Sequence, residues 1–464
     1  MSAAVAYAPN RYSRVQMNTA SLNYAPTKGW VCSSLKGVPL HCITFRTATD
    51  PTCGSGGFLI KAFEYIRDKI EQDVKLSKES LRRQLEGDDH DSKSEDEQLR
   101  INKSVERMQA VLNTELSTEA EGSRMYNLSR NCIYGTDANP RMARTSKMNM
   151  IMHGDGHGGV HHHDGLLNVN GIFEERFDVI LTNPPFGSRI DKGQKITEAD
   201  RFTDEALISK YTAEFGDAYT LALNQVDANI GKTLLSLYDT GAMSGLTEVL
   251  FMERCLRLLK KGGRMGMVLP EGILNTTNLQ KVRAYFEGRA KIILICSIPQ
   301  DVFVAAGATV KPSLVFFKRF TEAEEKEYLN AKNAAEEEIR GKYADDIAVL
   351  KAAAVSANTK AERLSALKSI KQMEAQILEE AGPLIKKRFD YEIPIATVAD
   401  AGITSAGQKS LGNQFPALSA EYARYRQTHE LWKESSPGYT YRINDDNEIA
   451  RKAGELTAEV VLHA

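Results

Sequence analysis

The chain has 464 residues, of which 42% are hydrophobic and 26% are charged. This composition is that of an ordinary globular protein with room for two or three domains. The formal net charge is −2, so binding to nucleic acid would need basic residues gathered on one face or supplied by a partner. No apolar run approaches the roughly 20 residues that span a bilayer, and the N-terminus shows no secretory signal.

The cysteine and histidine patterns do not indicate a metal centre. Six cysteines are scattered without a Cys-x-x-Cys pair, which favours reduced thiols and predicts a cytoplasmic protein without a membrane contact. Five histidines gather in 153–163, but no second ligand cluster completes a site and the neighbouring glycines leave the loop loose. We therefore predict no metal.

A glycine-rich loop is the first functional pattern along the chain. Residues 1–49 show little pattern beyond a strand-like stretch at 38–45, and a helical periodicity at 58–66 follows the loop. The loop residues are Asp50, Cys53, Gly54, Ser55, Gly56 and Gly57. Glycines there let the backbone approach a ligand, and the first-turn amides of the helix favour a polar or anionic group. We predict that Asp50 binds the ammonium or ribose of a cofactor, although a strand-to-helix turn without a ligand fits the loop equally well.

Two further acids follow strand patterns. Residues 67–127 are highly charged, which predicts a helical, solvated insertion with a mobile loop near 86–98. A strand at 132–137 then ends in Asp137, and the following helix at 140–152 has Asn139 as its cap. An acid at this position of a nucleoside-binding fold contacts ribose hydroxyls. Asp164 has the pattern of a third acid at a strand end.

Asn183-Pro184-Pro185-Phe186 is the central pattern of the chain. It follows a buried strand pattern at 177–182, and the two prolines end that strand because neither can donate to a ladder. The Asn183 amide and the Pro184 carbonyl offer acceptors for the two hydrogens of an exocyclic amine, while Phe186 offers a face for stacking. Such a site would read a flipped-out base. The other interpretation is a proline-rich turn in which asparagine only forms the turn.

The remaining chain alternates helix and strand patterns before it becomes helical. Polar residues at 187–244 could close over a substrate, and an amphipathic helix at 246–259 is predicted to end at 260–263. Strands are predicted at 264–270, 291–298 and 313–317, which indicates a doubly wound α/β sheet. Residues 321–389 favour long helices in a hairpin or coiled coil that binds a partner or braces its own domain. A last helix is predicted from about Asp446.

Several of these stretches resemble the amino-methylating class of S-adenosylmethionine-dependent DNA methyltransferases. More narrowly, the chain resembles the modification subunit of type I restriction–modification systems, with an Asn-Pro-Pro-Phe motif. The resemblance runs from Asp50 to about Phe317, with a weaker echo at 401–404. Several motifs that follow one another in the order found in the family are more specific than any single motif. The matching stretches are 50–59, 134–140, 147–156, 177–187, 262–272 and 299–303.

The resemblance implies a doubly wound, Rossmann-like methyltransferase fold with a C-terminal helical region, and S-adenosylmethionine as cofactor. The glycine loop from Asp50 would cradle the methionine part of the cofactor, Asp137 its ribose, and Asp164 would lie near its adenine. The implied catalytic residues are Asn183, Pro184, Pro185 and Phe186. Asn183 and Pro184 would accept hydrogen bonds from the N6 amine of the target adenine, and Phe186 would stack on the base. The implied partners are DNA and a specificity subunit. The resemblance is also compatible with two further partners, a restriction subunit and a second copy of the chain.

The chain also departs from this family at its start. The family carries a helical domain before the glycine loop, whereas only 49 residues precede Asp50 here, and the polar Arg46-Thr47-Ala48-Thr49 stands where a buried strand should end. We therefore expect an atypical or truncated segment at 1–49, a methyltransferase domain at 50–320 and a helical docking region at 321–464. Two alternatives to DNA adenine methylation remain open: a catalytically impaired scaffold, and a methyltransferase that acts on glutamine in proteins.

Overall fold

The computed structural model describes residues 14–16, 47–156, 159–306, 310–357, 359–431, 439–443 and 449–453. The strand predicted at 38–45, and most of the segment predicted to be atypical at 1–49, lie outside these residues. The strands are β1 (Arg14–Gln16), β2 (Ala48–Asp50), β3 (Ile133–Asp137), β4 (Val160–His162), β5 (Phe177–Thr182), β6 (Leu259–Pro270), β7 (Ala290–Ser297), β8 (Pro312–Arg319), β9 (Ile393–Thr397), β10 (Tyr439–Ile443) and β11 (Ile449–Ala453).

Helices connect most of these strands, as the alternating pattern predicts. They are α1 (Gly57–Glu86), α2 (Glu95–Thr114), α3 (Arg124–Asn127), α4 (Pro140–Met152), α5 (Glu205–Phe215), α6 (Asp217–Asp227), α7 (Thr247–Leu258), α8 (Glu271–Asn275), α9 (Gln280–Glu287), α10 (Glu322–Lys342), α11 (Ala344–Ser356), α12 (Lys360–Arg388) and α13 (Phe415–Thr428). Among the described residues, none of the helices combines the length and apolar character needed to cross a membrane.

Nine strands form one sheet in the order β1-β9-β7-β8-β6-β5-β2-β3-β4. All neighbours are parallel except for β8, which runs antiparallel to both β6 and β7. The chain moves outward from β2 to β3 and β4, and then returns to the other side of β2 with β5. The strand order therefore reverses between β2 and β5, and a doubly wound sheet binds its ligand at such a reversal. The predicted doubly wound α/β fold is confirmed, with the single antiparallel strand as an addition.

Strand β2 lies at the centre of the sheet despite its polar sequence. Ala48, Thr49 and Asp50 are all buried, and the hydroxyl of Thr47 donates to the Arg176 carbonyl at 2.9 Å. The backbone N–H of Thr47 donates to Asp178 Oδ2 at 3.0 Å. These partners from β5 and the residues before it satisfy the polar groups of Thr47. The stretch therefore forms the buried first strand that its sequence was expected to lack.

The charged insertion at 67–127 is helical, as predicted, but it is not only a solvated excursion. Helices α1 and α2 pack against each other and bury one apolar face beside the sheet, formed by Ile70, Val74, Leu81, Val105, Met108, Val111 and Leu112. A buried ion pair between Arg124 and Asp73 at 2.5 Å ties α3 to α1. Between the long helices, Ser94 and Glu97 form a capping box at the start of α2.

Helix α7 corrects the prediction of an amphipathic helix that ends in a glycine pair. Eleven of its twelve residues are buried, and β6 begins directly after it at Leu259. The predicted helix end at 260–263 lies inside this strand, where Gly262 adopts a φ of 76°. The buried charges of Glu253 and Arg254 are tolerated in the interior because Thr240 and the loop at 165–168 supply hydrogen bonds to them.

The C-terminal region begins as the predicted helical hairpin. Helix α12 packs against both α10 and α11, and Arg340 binds Glu374 across the hairpin through two bonds of 2.7 Å. The chain then returns to the sheet, where β9 pairs with β7 in parallel. The helix predicted from about Asp446 is wrong, because residues 449–453 form β11, which pairs with β10 in an antiparallel ribbon.

Candidate functional site

A pocket of about 500 Å³ opens at the carboxyl ends of β2 and β5, where the strand order reverses. Its walls combine the glycine loop, the start of α1 and the apolar residues of three strands. The lining residues are Asp50, Thr52, Cys53, Gly54, Ser55, Gly57, Phe58, Leu181, Asn183, Gly266, Met267, Val268, Phe303, Leu314 and Phe316. The structure thus brings the glycine loop and Asn183, which are about 130 residues apart in sequence, to one cavity.

Asp50 is a buried carboxyl group on the wall of this pocket, with 1% of its surface exposed. Its Oδ1 accepts from the Thr52 N–H at 2.9 Å and from the Thr182 hydroxyl at 2.6 Å. Burial raises the pKa of Asp50 to about 7, although these hydrogen bonds act in the opposite direction. Nothing in the described part of the chain forms an ion pair with this carboxyl group. A cationic ligand would therefore supply the counter-charge that the protein does not.

The glycine loop is held in place by the middle of α4 and by β3, where the Thr136 carbonyl accepts from the Cys53 N–H at 2.9 Å. Gly56 adopts a φ of 88°, and a Cβ at this position would lie 2.6 Å from Ser146 Oγ, so the loop packs closely on α4. The Asn149 side chain donates to the Ser55 carbonyl at 2.9 Å. Of the predicted loop residues, Cys53, Gly54, Ser55 and Gly57 line the pocket, whereas Gly56 faces α4 instead. Burial raises the pKa of the Cys53 thiol to about 12, so the thiol stays protonated at neutral pH. Cys53 therefore lines the pocket without acting as a nucleophile.

Asp137 lies at the carboxyl end of β3, as predicted, but outside the residues that line the pocket. Both of its carboxylate oxygens accept backbone amides: Oδ2 from Gly54 at 3.0 Å and Oδ1 from Asn139 at 2.8 Å. Asp137 therefore fastens the glycine loop to the start of α4. Its predicted contact with a ribose stays a prediction.

Asp164 follows β4 by two residues and also lies behind the pocket lining. Its Oδ1 accepts from the Leu166 N–H at 2.9 Å, and burial raises its pKa. The next residue, Gly165, lies so close to the glycine loop that a Cβ on it would be 2.0 Å from the Pro51 carbonyl oxygen. The Asp164 loop thus supports the start of the glycine loop, and its predicted contact with an adenine ring stays a prediction.

The Asn183-Pro184-Pro185-Phe186 turn leaves β5 at the rim of the pocket. Asn183 is exposed and lines the pocket, Pro184 is buried, and Pro185 is exposed. The half-buried Phe186 ring lies edge-on to Phe303, with centroids 6.4 Å apart and planes at 78°. The Gly187 N–H donates to Glu248 Oε1 at 3.2 Å, which fastens the end of the turn to α7.

Several residues of the pocket were not among the predicted site residues. Thr52 and Thr182 form a hydroxyl pair at 2.6 Å beside Asp50, and Phe303 provides an aromatic wall. Phe303 lies within the stretch 299–303 that supports the resemblance, so the sequence did indicate that this residue could belong to the site. Phe58 also lies in a matching stretch, 50–59. Leu314 and Phe316 carried no such signal, because nothing in their local sequence distinguishes a pocket wall from ordinary core.

Helix α7 fastens two loops around the site through adjacent buried side chains. Arg254 has no exposed surface and donates to the carbonyls of Gly165 and Leu167 and to Asn168 Oδ1, at 3.0, 2.8 and 2.7 Å. Glu253 accepts from the Thr240 amide at 2.8 Å and its hydroxyl at 2.7 Å. The helix therefore holds the Asp164 loop on one side and the segment before itself on the other.

The histidine-rich loop does not assemble into a metal centre in the part of the chain that is described. No group of three or more His, Cys, Asp or Glu side chains there is arranged to hold an ion. His157 lies outside the described residues. His162 and His163 approach backbone carbonyls at 3.1 and 3.2 Å instead.

Comparison with solved structures finds several distant likenesses. A modification subunit of a putative type I restriction enzyme from Vibrio vulnificus YJ016 is 19% identical, with a TM-score of 0.34, over 59% of this chain and 40% of that one. The EcoKI M protein is 17% identical, with a TM-score of 0.36, over 65% and 46%. A putative class I S-adenosylmethionine-dependent methyltransferase from Listeria monocytogenes is 14% identical, with a TM-score of 0.31, over 63% and 59%. The chain spans less than two thirds of the length of each.

Comparison with protein families gives a direct match. The family described as N-6 DNA Methylase matches residues 118–248 and 238–347. These residues include β3 to β8, the Asn183 turn, α7 and Phe303, whereas the glycine loop lies before them. Residues 118–347 of the chain therefore match the N-6 DNA methylase family.

Proposed function

We propose that the chain transfers a methyl group from S-adenosylmethionine to N6 of adenine in DNA, as the modification subunit of a type I restriction–modification system. One observation carries this proposal: the Asn183 amide lies on the rim of the cavity whose walls are Asp50 and the glycine loop. A base held at the rim would therefore face a cofactor held in the cavity. The match of residues 118–347 to the N-6 DNA methylase family supports the same reaction.

The turn at Asn183 has the chemistry to hold an exocyclic amine. The Asn183 side chain makes no hydrogen bond to the described residues, so its amide oxygen is available to a ligand. Together with the Pro184 carbonyl it would accept the two N6 hydrogens of adenine and draw the nitrogen towards tetrahedral geometry. Phe186 would stack on the base, with Phe303 behind it. This catalysis consists mainly of positioning and electrostatics.

The pocket suits S-adenosylmethionine in volume and in the placement of charge. About 500 Å³ lies within the usual range for cofactor sites, and Asp50 offers an anion for the ammonium group of the amino-acid part. The backbone amides at the start of α1 lie beside it, where they favour a carboxylate. The cofactor would supply an electrophilic methyl group on a sulfonium, which leaves the protein to orient the two reactants and to exclude water.

The C-terminal hairpin supports a partner-binding role. The described part of α10 to α12 exposes six large apolar side chains that a partner could cover: Leu329, Val349, Val355, Leu364, Leu367 and Leu378. We propose that this hairpin docks a specificity subunit that reads the DNA sequence. Such delegation agrees with the net charge of −2. A restriction subunit and a second copy of the chain belong to the same proposed assembly.

Methyl transfer from tritiated S-adenosylmethionine tests the proposal, with adenine-containing DNA and with the chain encoded beside this one as the candidate specificity subunit. We expect transfer into DNA that needs both chains and that is lost in Asn183→Ala. Label in a glutamine-containing peptide instead would favour the protein methyltransferase. A stable complex without transfer to either substrate would favour the scaffold.

A further inference from the structure

The hydroxyl of Thr182 joins the two halves of the proposed site. Its Oγ1 lies 2.6 Å from Asp50 Oδ1 and 2.6 Å from Thr52 Oγ1. Thr182 is the last residue of β5 and has no exposed surface. The next residue is Asn183, so a shift of Thr182 moves the residue proposed to hold the target amine.

The hydrogen-bond donors of this cluster point towards Asp50 Oδ1. Thr182 uses its single hydroxyl hydrogen for Asp50. The Thr52 hydroxyl lies 2.6 Å from the Thr182 oxygen and 3.3 Å from the same oxygen of Asp50, so both of these oxygens are acceptors within its reach. The Thr52 N–H also donates to Asp50 Oδ1, at 2.9 Å. Donors therefore converge on one carboxyl oxygen, and they bind it more strongly when Asp50 is ionised, because charge-assisted bonds are roughly twice as strong as neutral ones.

Apart from the hydrogen bonds from Thr52 and Thr182, the described protein does little to keep Asp50 ionised. Desolvation opposes the charge, and nearby Asp137 opposes it further. The other titratable neighbours that interact with Asp50 are the buried thiols of Cys53 and Cys255. None of these groups is a cation, so the charge state of Asp50 depends on what occupies the pocket.

We propose that Thr182 is a positioning residue that couples the charge of Asp50 to the placement of Asn183. This inference rests on the proposed function. The ammonium group of the bound cofactor would favour ionised Asp50, which strengthens the bond from Thr182 and holds the end of β5 in place. The Asn183-Pro184-Pro185-Phe186 turn is then ordered before the target base enters. Cofactor binding thus prepares the base site, and base binding reciprocally favours the cofactor.

Amide hydrogen exchange with S-adenosylhomocysteine as the probe tests the coupling without methyl transfer. The readout is exchange at Asn183, Phe186 and Gly187, since the two prolines carry no amide hydrogen. In the natural chain we expect saturating S-adenosylhomocysteine to slow this exchange about ten-fold, the change given by roughly 1.4 kcal/mol from a charge-assisted bond. Thr182→Ser keeps the hydroxyl and should retain the protection. Thr182→Val keeps the shape without the donor and should lose it.

Thr49 provides a matched control. It is a buried threonine of β2, beside Asp50, and its hydroxyl has no hydrogen-bond partner in the described structure. Thr49→Val should therefore keep the full protection. If Thr182→Val does not fold, Thr182→Ala removes the same donor and takes its place in the comparison.

The outcomes separate this inference from the proposed function. Calorimetry measures whether Thr182→Val binds S-adenosylhomocysteine. If it binds and the protection of the Asn183 amide from exchange is undiminished, the coupling is overturned and the proposed function stands. Failure of the natural chain and of Thr49→Val to bind S-adenosylhomocysteine would overturn both. Protection lost in Thr182→Val but kept in Thr182→Ser and Thr49→Val supports the coupling.

Discussion

Arg254, in the middle of α7, donates from Nε to the carbonyl oxygen of Gly165 at 3.0 Å. Gly165 in turn lies against the Pro51 carbonyl at the start of the glycine loop. A fully buried guanidinium thus supports, through one loop, the segment that would cradle the cofactor.

We expect Arg254→Met to lower the free energy of unfolding by about 3–5 kcal/mol, because it leaves the buried acceptors of the 165–168 loop without a donor. Urea denaturation measures this change. Arg201→Met is the control, since Arg201 is exposed and its side chain forms only surface ion pairs, with Glu198 and Asp227, among the described residues. It should therefore cost less than about 1 kcal/mol. Similar losses in both variants would show that Arg254 does not support the loop.

The raised pKa of Asp50 makes the stability of the protein depend on pH. The carboxyl group has an ordinary pKa of 3.8 and one of about 7 in the folded chain, so folding favours its protonated form. This contribution is fully present below pH 3.8 and is lost as the pH rises through about 7. Asp50→Asn removes the titration, so we expect its stability relative to the natural chain to rise by on the order of 3 kcal/mol between pH 4 and pH 8.

Denaturation of both chains at a series of pH values measures this difference. A stability difference that does not change between pH 4 and pH 8 would show that Asp50 is already ionised at low pH. S-adenosylhomocysteine should also lower the pH at which Asp50 of the natural chain ionises, because a bound ammonium group favours the carboxylate.

Phe186 and Phe303 should act together in holding the target base. Their edge-to-face contact is typical of aromatic pairs that contribute about 0.5–1.5 kcal/mol beyond burial. We expect Phe186→Ala and Phe303→Ala each to raise the KM for adenine-containing DNA, and the double variant to cost about 1 kcal/mol less than the sum of the two. The quantity to measure is kcat/KM in methyl transfer for all four chains, and strictly additive losses would mean that the two rings act independently.

The local sequence predicted the elements that present the central turn. The strand at 177–182 and the helix at 140–152 have the predicted bounds, because apolar runs, prolines and the Asn139 cap are local signals. The Asn139 side chain does accept from the amides of Arg141 and Met142. The predicted residues Asp50, Cys53, Gly54, Ser55, Gly57 and Asn183 all line one pocket, because the parallel strands that precede them end at the same edge of the sheet.

The features that the sequence could not predict depend on contacts between distant segments. Helix α7 was expected to be amphipathic because Glu253 and Arg254 are charged, yet both are buried with partners as distant as Thr240 and Gly165. The local sequence around Thr182 indicates only a strand residue, because its hydrogen bond to Asp50 depends on the pairing of β5 with β2. Likewise, nothing near 393–397 indicates that β9 extends the central sheet.

The most direct measurement is methyl transfer from tritiated S-adenosylmethionine to adenine-containing DNA by the natural chain and Asn183→Ala, each with the candidate specificity subunit. We expect the natural chain to label DNA at N6 of adenine. Asn183→Ala should bind S-adenosylhomocysteine with little change in Kd and lose transfer by at least about a hundred-fold, as expected when a preorganised hydrogen-bonding group is removed from a reacting centre. Full transfer by Asn183→Ala would contradict the proposed site.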